Sequence, residues 1–209
     1  MVTVVCTGGE FPPSSLSLAW LDTCQRTIAA DGGLAFLRKL NRKADLWVGD
    51  GDSLEGPLAS WRLWYGEARL LDRLKDDSDT EAAVQIAVQD GAHEVWLLGG
   101  AGGRMDHWWA NLRMIEGQPR ISRWLTGQEQ AFILGEGQTM TMEPGTVSVF
   151  PLGHGPWDLV SSGFRWPLEA VDFRVWHSLS NECQSEGGTL TSREGRFMVL
   201  RPWATEGLG

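Results

Sequence analysis

This 209-residue sequence is short of basic clusters, of cysteine and of long apolar runs, and each shortage removes a class of function. Its 18 Lys and Arg are outnumbered by 27 Asp and Glu, leaving a formal net charge of −9. A chain of that sign has no cationic surplus to displace counterions from a phosphate backbone, so general nucleic-acid binding is not expected. An anionic substrate would need a local cation. No apolar stretch approaches the ~20 residues of a membrane-spanning helix. The opening run Met1-Val2-Thr3-Val4-Val5-Cys6 lacks a basic leader and breaks at Thr7-Gly8-Gly9-Glu10, too soon for a signal peptide, so it reads as a first strand. Cys6, Cys24 and Cys183 are odd in number and have no CxxC or Cys/His spacing. That favours reduced thiols in a cytoplasm over a disulfide framework or a zinc site. A Gly-Lys-Ser/Thr phosphate loop is absent as well, and the glycines at 99–103 do not fit the GxGxxG spacing of a dinucleotide fold.

What is present is 42% hydrophobic against 22% charged residues, the ordinary balance of a globular chain with a sizeable core. The first part alternates short apolar runs at 2–6, 27–30, 46–48 and 94–98 with helical patterns at 34–40 and 80–89, an α/β grammar with a mostly parallel sheet. Ser78 with Glu81 three residues on forms a capping box that starts the second helix. After about residue 120 the pattern changes to short β-prone runs at 131–134, 139–142, 146–150, 188–192 and 196–200, separated by Gly and Pro. The expected organisation is an α/β domain over 1–122 and a small all-β, sandwich-like domain over 123–209.

The chemistry collects behind the strands. Each of the four expected strands runs into a glycine-rich or acidic segment: Thr7-Gly8-Gly9-Glu10, Asp31-Gly32-Gly33, Gly49-Asp50-Gly51-Asp52-Ser53 and Gly99-Gly100-Ala101-Gly102-Gly103-Arg104-Met105-Asp106-His107. If the strands are parallel, all four lie at the sheet edge where open α/β folds bind ligands. Glycines there let backbone amides approach phosphate, and clustered carboxylates suit Mg²⁺. Asp-Gly is also a common turn, so Asp31, Asp45 or Asp72 taken singly carries little weight. Asp50 and Asp52 together with Asp76 and Asp79 carry more, because gathered carboxylates need a cation to be tolerated. These four are the expected metal ligands and, with Arg104, the expected catalytic set. Lys75 and Arg104 are expected on phosphate oxygens, where Arg can bind in bidentate fashion. Transfer of a phosphate-containing group follows.

Glu10-Phe11-Pro12, Asp31-Gly32-Gly33, Gly49-Asp50-Gly51-Asp52-Ser53, the run from Lys75-Asp76-Asp77-Ser78-Asp79 to Glu81, and Gly102-Gly103-Arg104-Met105-Asp106-His107 with Asn111 resemble thiamine pyrophosphokinases in order and spacing. So do Ser162-Gly163-Phe164-Arg165-Trp166-Pro167-Leu168 and Ser178-Leu179-Ser180-Asn181-Glu182, and the pattern departs from the family at Gly8, Gly51 and Ser78. The resemblance implies an ATP-dependent, Mg²⁺-dependent diphosphotransferase that makes thiamine diphosphate. It also implies a homodimer in which the partner's C-terminal domain completes the thiamine pocket. Asp50, Asp52, Asp76 and Asp79 would be the Mg²⁺ and phosphate carboxylates. Asp31, Gly32, Ser53, Lys75, Arg104, Asp106, His107 and Asn111 would serve the nucleotide, and Ser180 with Asn181 the thiamine. Trp166 or Phe197 is a candidate to stack on the cationic heterocycle. Trp20, Trp47, Trp61, Trp64 and Trp96 read as core or interface.

Three other readings compete. A diphosphokinase of the same architecture could act on another alcohol such as a hydroxymethylpterin, and a sensor could bind nucleotide or thiamine without turnover. Gly51-Asp52-Ser53-Leu54 also spells the GDSL-type esterase signature with Ser53 as nucleophile, and Asp90-Gly91-Ala92-His93 supplies its Asp-x-x-His letters. Asp90 and His93 precede a strand whereas Ser53 follows one, which sets them at opposite sheet edges.

Overall fold

The computed structural model describes residues 1–72 and 76–203, in two compact units, Met1–Gly127 and Gln128–Gly209. The first unit runs β1 (Val2–Cys6), α1 (Ser14–Thr23), β2 (Arg26–Ala30), α2 (Gly33–Lys39), β3 (Ala44–Gly49), a 3₁₀ helix (Leu58–Trp64) and β4 (Tyr65–Leu70). It continues with α3 (Asp79–Gln89), β5 (Glu94–Leu98), α4 (Met105–Gly117) and β6 (Ile121–Leu125). The strands stand in the order β6-β5-β1-β2-β3-β4, every neighbouring pair parallel.

Burial explains the apolar runs. β1, β2 and β5 are buried at every position after their first, as strands covered on both faces must be. β4 is buried only at Tyr65 and closes the sheet as an edge strand. α2 starts hard against the end of β1: a Cβ on Gly33 would stand 2.0 Å from the Cys6 carbonyl oxygen, so only glycine fits there. The expected capping box is formed, with the Ser78 hydroxyl accepting from the Glu81 N–H at 3.1 Å and the Glu81 carboxylate accepting from the Ser78 N–H at 2.8 Å. α1, β4, α4 and β6 were not singled out in the sequence. In α4 the reason is plain: its buried positions are Asn111, Met114 and Ile115, while Met105 and Trp109 are among its most exposed, so the apolar periodicity points the wrong way.

The second unit holds β7 (Glu129–Leu134), β8 (Thr139–Met142), β9 (Gly145–Leu152), β10 (Asp158–Ser162), a 3₁₀ turn (Leu168–Ala170), β11 (Ser178–Cys183), β12 (Gly188–Glu194) and β13 (Arg196–Pro202). β11-β9-β13-β7 pair antiparallel, and so do β10-β12-β8. Leu134, Val147, Val149, Phe197 and Val199 from the first set pack with Met142, Leu159 and Leu190 from the second in one core, the sandwich expected of the β-prone runs. Phe197 is fully buried in it, edge-on to Phe173 at 5.0 Å, and is therefore no stacking platform for a ligand.

Candidate active site

Because β1, β2, β3 and β5 are parallel, the segments that follow them share one edge, and hydrogen bonds tie those segments together. The Thr7 N–H donates to the Leu98 carbonyl at 2.9 Å, the Gly100 N–H to the Gly8 carbonyl at 2.7 Å, and the Asp31 N–H to the Val48 carbonyl at 2.8 Å. Asn111 reaches back from α4 to donate its Nδ2 to the Gly100 carbonyl at 2.8 Å. The buried hydroxyls of Thr7 and Thr80 pair at 2.6 Å, fixing the start of α3 to the end of β1. Ser53 stands beside Gly32, whose Cβ, if it had one, would be 3.6 Å from that of Ser53.

At this edge Asp31, Asp50 and Asp79 each offer a carboxylate oxygen within 4.8 Å of the others. Asp31 is the unusual member. Its φ of 43° is in the left-handed region, which costs a non-glycine residue ~1–2 kcal/mol and persists only where the surroundings dictate it. Its Oδ1 is shut off from solvent with no hydrogen-bond partner. Burial pushes its carboxyl pKa above the ordinary value, the charges of Asp79 and Asp52 push it further, and Ser53 and the Gly32 N–H pull the other way. The Ser53 hydroxyl also donates to Asp52 at 3.2 Å, and its one proton cannot serve both carboxylates at once. An orphaned buried oxygen beside two further carboxylates, all hard oxygen donors, suits a small divalent cation such as Mg²⁺.

The other expected acidic residues lie outside this trio. Asp52 and Asp76 are exposed, and Asp50 uses Oδ1 to accept the Asp52 N–H at 3.0 Å, which shapes the loop. Lys75 lies outside the described residues. Arg104 precedes α4 and is exposed, its guanidinium forked onto Asp106, with Nε at 3.1 Å from Oδ1. The hydrogen bond from Arg104 holds the Asp106 carboxyl below its usual range and raises the guanidinium. His107 is exposed next to them, its N–H on the Asp106 carboxylate. Asn111, by contrast, is buried and pins the glycine loop. Thr7, Thr80 and Trp47 also build this edge, although nothing in the sequence marked them beyond ordinary core residues. Trp47 carried one usable signal, its place two residues before Gly49 and so on the same strand face.

In the second unit, Ser180 is exposed at φ 52° where β11 breaks register, and its N–H donates to the Ser148 hydroxyl at 2.9 Å. Asn181 is 2% exposed and its amide is spent within the protein. Nδ2 donates to the Trp166 carbonyl at 2.8 Å and to Ser178 at 3.3 Å, while Oδ1 accepts from the N–H groups of Trp166 at 3.3 Å and Glu182 at 2.8 Å. Trp166 itself is 54% exposed, with the Arg165 guanidinium 5.0 Å from its ring centroid and that guanidinium also paired to Glu182. Asp90, at the C-terminus of α3, is bound to Arg26 at 2.7 Å, and His93 follows it just before β5; both are at the far edge from Ser53. No helix among the described residues is long and apolar enough to cross a membrane.

Residues 18–122 match the family model described as thiamin pyrophosphokinase, catalytic domain, and residues 138–197 the model described as thiamin pyrophosphokinase, vitamin B1 binding domain. No curated protein matches the chain in a sequence comparison. Among solved structures, the chain is similar to a thiamin pyrophosphokinase family protein from Enterococcus faecalis, with a TM-score of 0.75 at 21% identity, covering 98% of this chain and 99% of that one. The thiamin pyrophosphokinase from Geobacillus thermodenitrificans gives 0.72 at 23% identity with both chains covered completely, at 100% each. That from Candida albicans gives 0.71 at 16% identity, over 95% of this chain and 88% of the other. At these identities the likeness is one of fold.

Proposed function

This chain belongs to the thiamin pyrophosphokinase family of enzymes, and from that premise we propose that it transfers a diphosphate from ATP to the hydroxyl of thiamine, releasing AMP. The observation that carries the proposal is the meeting of Asp31, Asp50 and Asp79 at the glycine-lined edge of the parallel sheet. The thiamine hydroxyl oxygen attacks the β-phosphorus in line. The bond from that phosphorus to the oxygen bridging it to the α-phosphate breaks, AMP leaves with the bridging oxygen, and the hydroxyl proton passes to a carboxylate of the edge.

Asp31, Asp50 and Asp79 would hold Mg²⁺, with Asp52 and Asp76 supporting it from the exposed side. Bound there, the ion would neutralise phosphate charge as the transition state forms. The remaining work is done by the chain. Backbone amides of the glycine segment around Gly102 and Gly103 receive phosphate oxygens. Arg104 exchanges Asp106 for phosphate, a bidentate acceptor of the same geometry, and Lys75 adds a second cation. His107 and Ser53 stand on the nucleotide side, and Asn111 keeps the Gly100 loop in place. On the acceptor side, Ser180 and the exposed Trp166 would meet thiamine, whose cationic ring suits an indole face. The vitamin B1 binding match over 138–197 favours thiamine over a pterin alcohol.

AMP release measured with ATP, Mg²⁺ and either thiamine or hydroxymethylpterin tests the reading. Thiamine-dependent AMP supports it, and release only with the pterin alcohol overturns the acceptor. Absence of AMP with both, alongside tight nucleotide binding, would mark a sensor. A homodimer belongs to the same proposal and predicts twice the chain mass in light scattering.

A further inference from the structure

Trp47 is fully buried in β3, and its indole touches both halves of the acidic trio's support. Its Nε1 donates to the Asp31 carbonyl oxygen at 3.2 Å. The same carbonyl accepts from the Leu34 N–H at 3.2 Å in the first turn of α2, and the Asp31 N–H is held by Val48. The peptide groups on either side of the left-handed Asp31 are therefore both anchored, one of them by the indole. Gly49 lies between: a Cβ there would stand 3.0 Å from the indole ring and 3.2 Å from the Cα and Cβ of Asp31. The far end of the ring runs on under the Asp50 loop, where a Cβ on Gly51, at φ 82°, would be 3.8 Å from Cη2. One rigid side chain thus spans the strand end that carries Asp31 and the loop that carries Asp50.

We infer that Trp47 is a positioning residue for the cation site: its N–H holds Asp31 in the conformation that turns the carboxylate towards Asp50 and Asp79, and its ring fixes the spacing of the two loops. This inference rests on the reading of the trio as a divalent-cation site.

The test is Mn²⁺ binding to the full chain, with free Mn²⁺ counted by electron paramagnetic resonance, for the wild type, Trp47→Phe, Asp31→Asn and the double variant. Trp47→Phe removes the N–H while keeping an aromatic ring, and should weaken Mn²⁺ binding about fivefold, the loss expected of one hydrogen bond. In the Asp31→Asn background the same change should have no further effect, because Trp47 acts through Asp31. Equal affinity of wild type and Trp47→Phe, or an equal loss in both backgrounds, overturns the inference while leaving the cation site standing. A wild type that binds no Mn²⁺ overturns both. If Trp47→Phe does not fold, benzothienylalanine at position 47 keeps the bicyclic shape without the N–H and is held to the same outcomes.

Discussion

Replacing Asp31 by asparagine should stabilise the metal-free chain and at the same time weaken its response to Mg²⁺. Asparagine is nearly isosteric and among the residues that tolerate positive φ, so the backbone at 43° is kept. What is lost is a charge whose Oδ1 is buried without a partner, next to Asp50 and Asp79. Asparagine still leaves a polar atom in that place, so the gain is relief of the burial of the charge and of its repulsion by Asp79 and Asp52, ~1 kcal/mol once discounted for a residue only half-buried. In a chain of this size that is a rise of about 2–4 °C in the melting temperature of the metal-free protein. The pH dependence fixes the sign. The native Asp31 carboxyl keeps its proton above the ordinary 3.8, so the unfolded chain ionises first as pH rises. Wild-type stability should therefore fall with rising pH between that ordinary value and the raised one, and Asp31→Asn should lack this component. Calorimetry in EDTA and in Mg²⁺ across pH reads all three effects. A metal-free Asp31→Asn that melts below wild type near neutral pH refutes the reasoning.

Asp79→Asn should fold normally, since Ser78 and Glu81 cap α3 without it, and should lose thiamine-dependent AMP release; near-normal turnover would remove Asp79 from the site. Thr80→Val leaves the Thr7 hydroxyl buried without its partner, and should lower stability by ~1–2 kcal/mol in denaturant melts and raise the Mg²⁺ needed for half activity. Thr80→Ser should restore both. Asn181→Ala strips Trp166 of two backbone partners, for a loss of about 2–4 kcal/mol, and should raise the KM for thiamine while leaving that for ATP unchanged. Asp106→Asn frees the exposed Arg104, so the melting temperature should not move while the KM for ATP does.

Much of the fold was legible because its signals are local. The buried runs of β1, β2 and β5 and the capping box of α3 report their own environment, and the switch to Gly- and Pro-punctuated runs after residue 120 reports a change of architecture. α4 escaped because Met105 and Trp109 face outwards, and β4 because an edge strand with five exposed residues has no apolar alternation. At the candidate site the sequence marked acidic density but not direction. Asp31, a turn residue by its letters, joins Asp50 and Asp79, whereas Asp52 and Asp76 point to solvent, and that sorting depends on a left-handed backbone that no spacing encodes. Likewise Asn181 has the letters of a ligand contact, while its hydrogen bonds run to Trp166, Ser178 and Glu182.

The two units each have a core of their own, with Trp47, Leu97 and Ile115 in one and Phe197, Val149 and Leu190 in the other. The acidic trio belongs wholly to the first, and Ser180, Asn181 and Trp166 wholly to the second. Selection can therefore act on them as separable parts. Under the proposed function, substitutions that retune which alcohol is received can accumulate in the β-sandwich while the carboxylates proposed to handle the phosphates stay unchanged. A chimera that joins residues 1–127 to a foreign sandwich is the natural way to explore new acceptors.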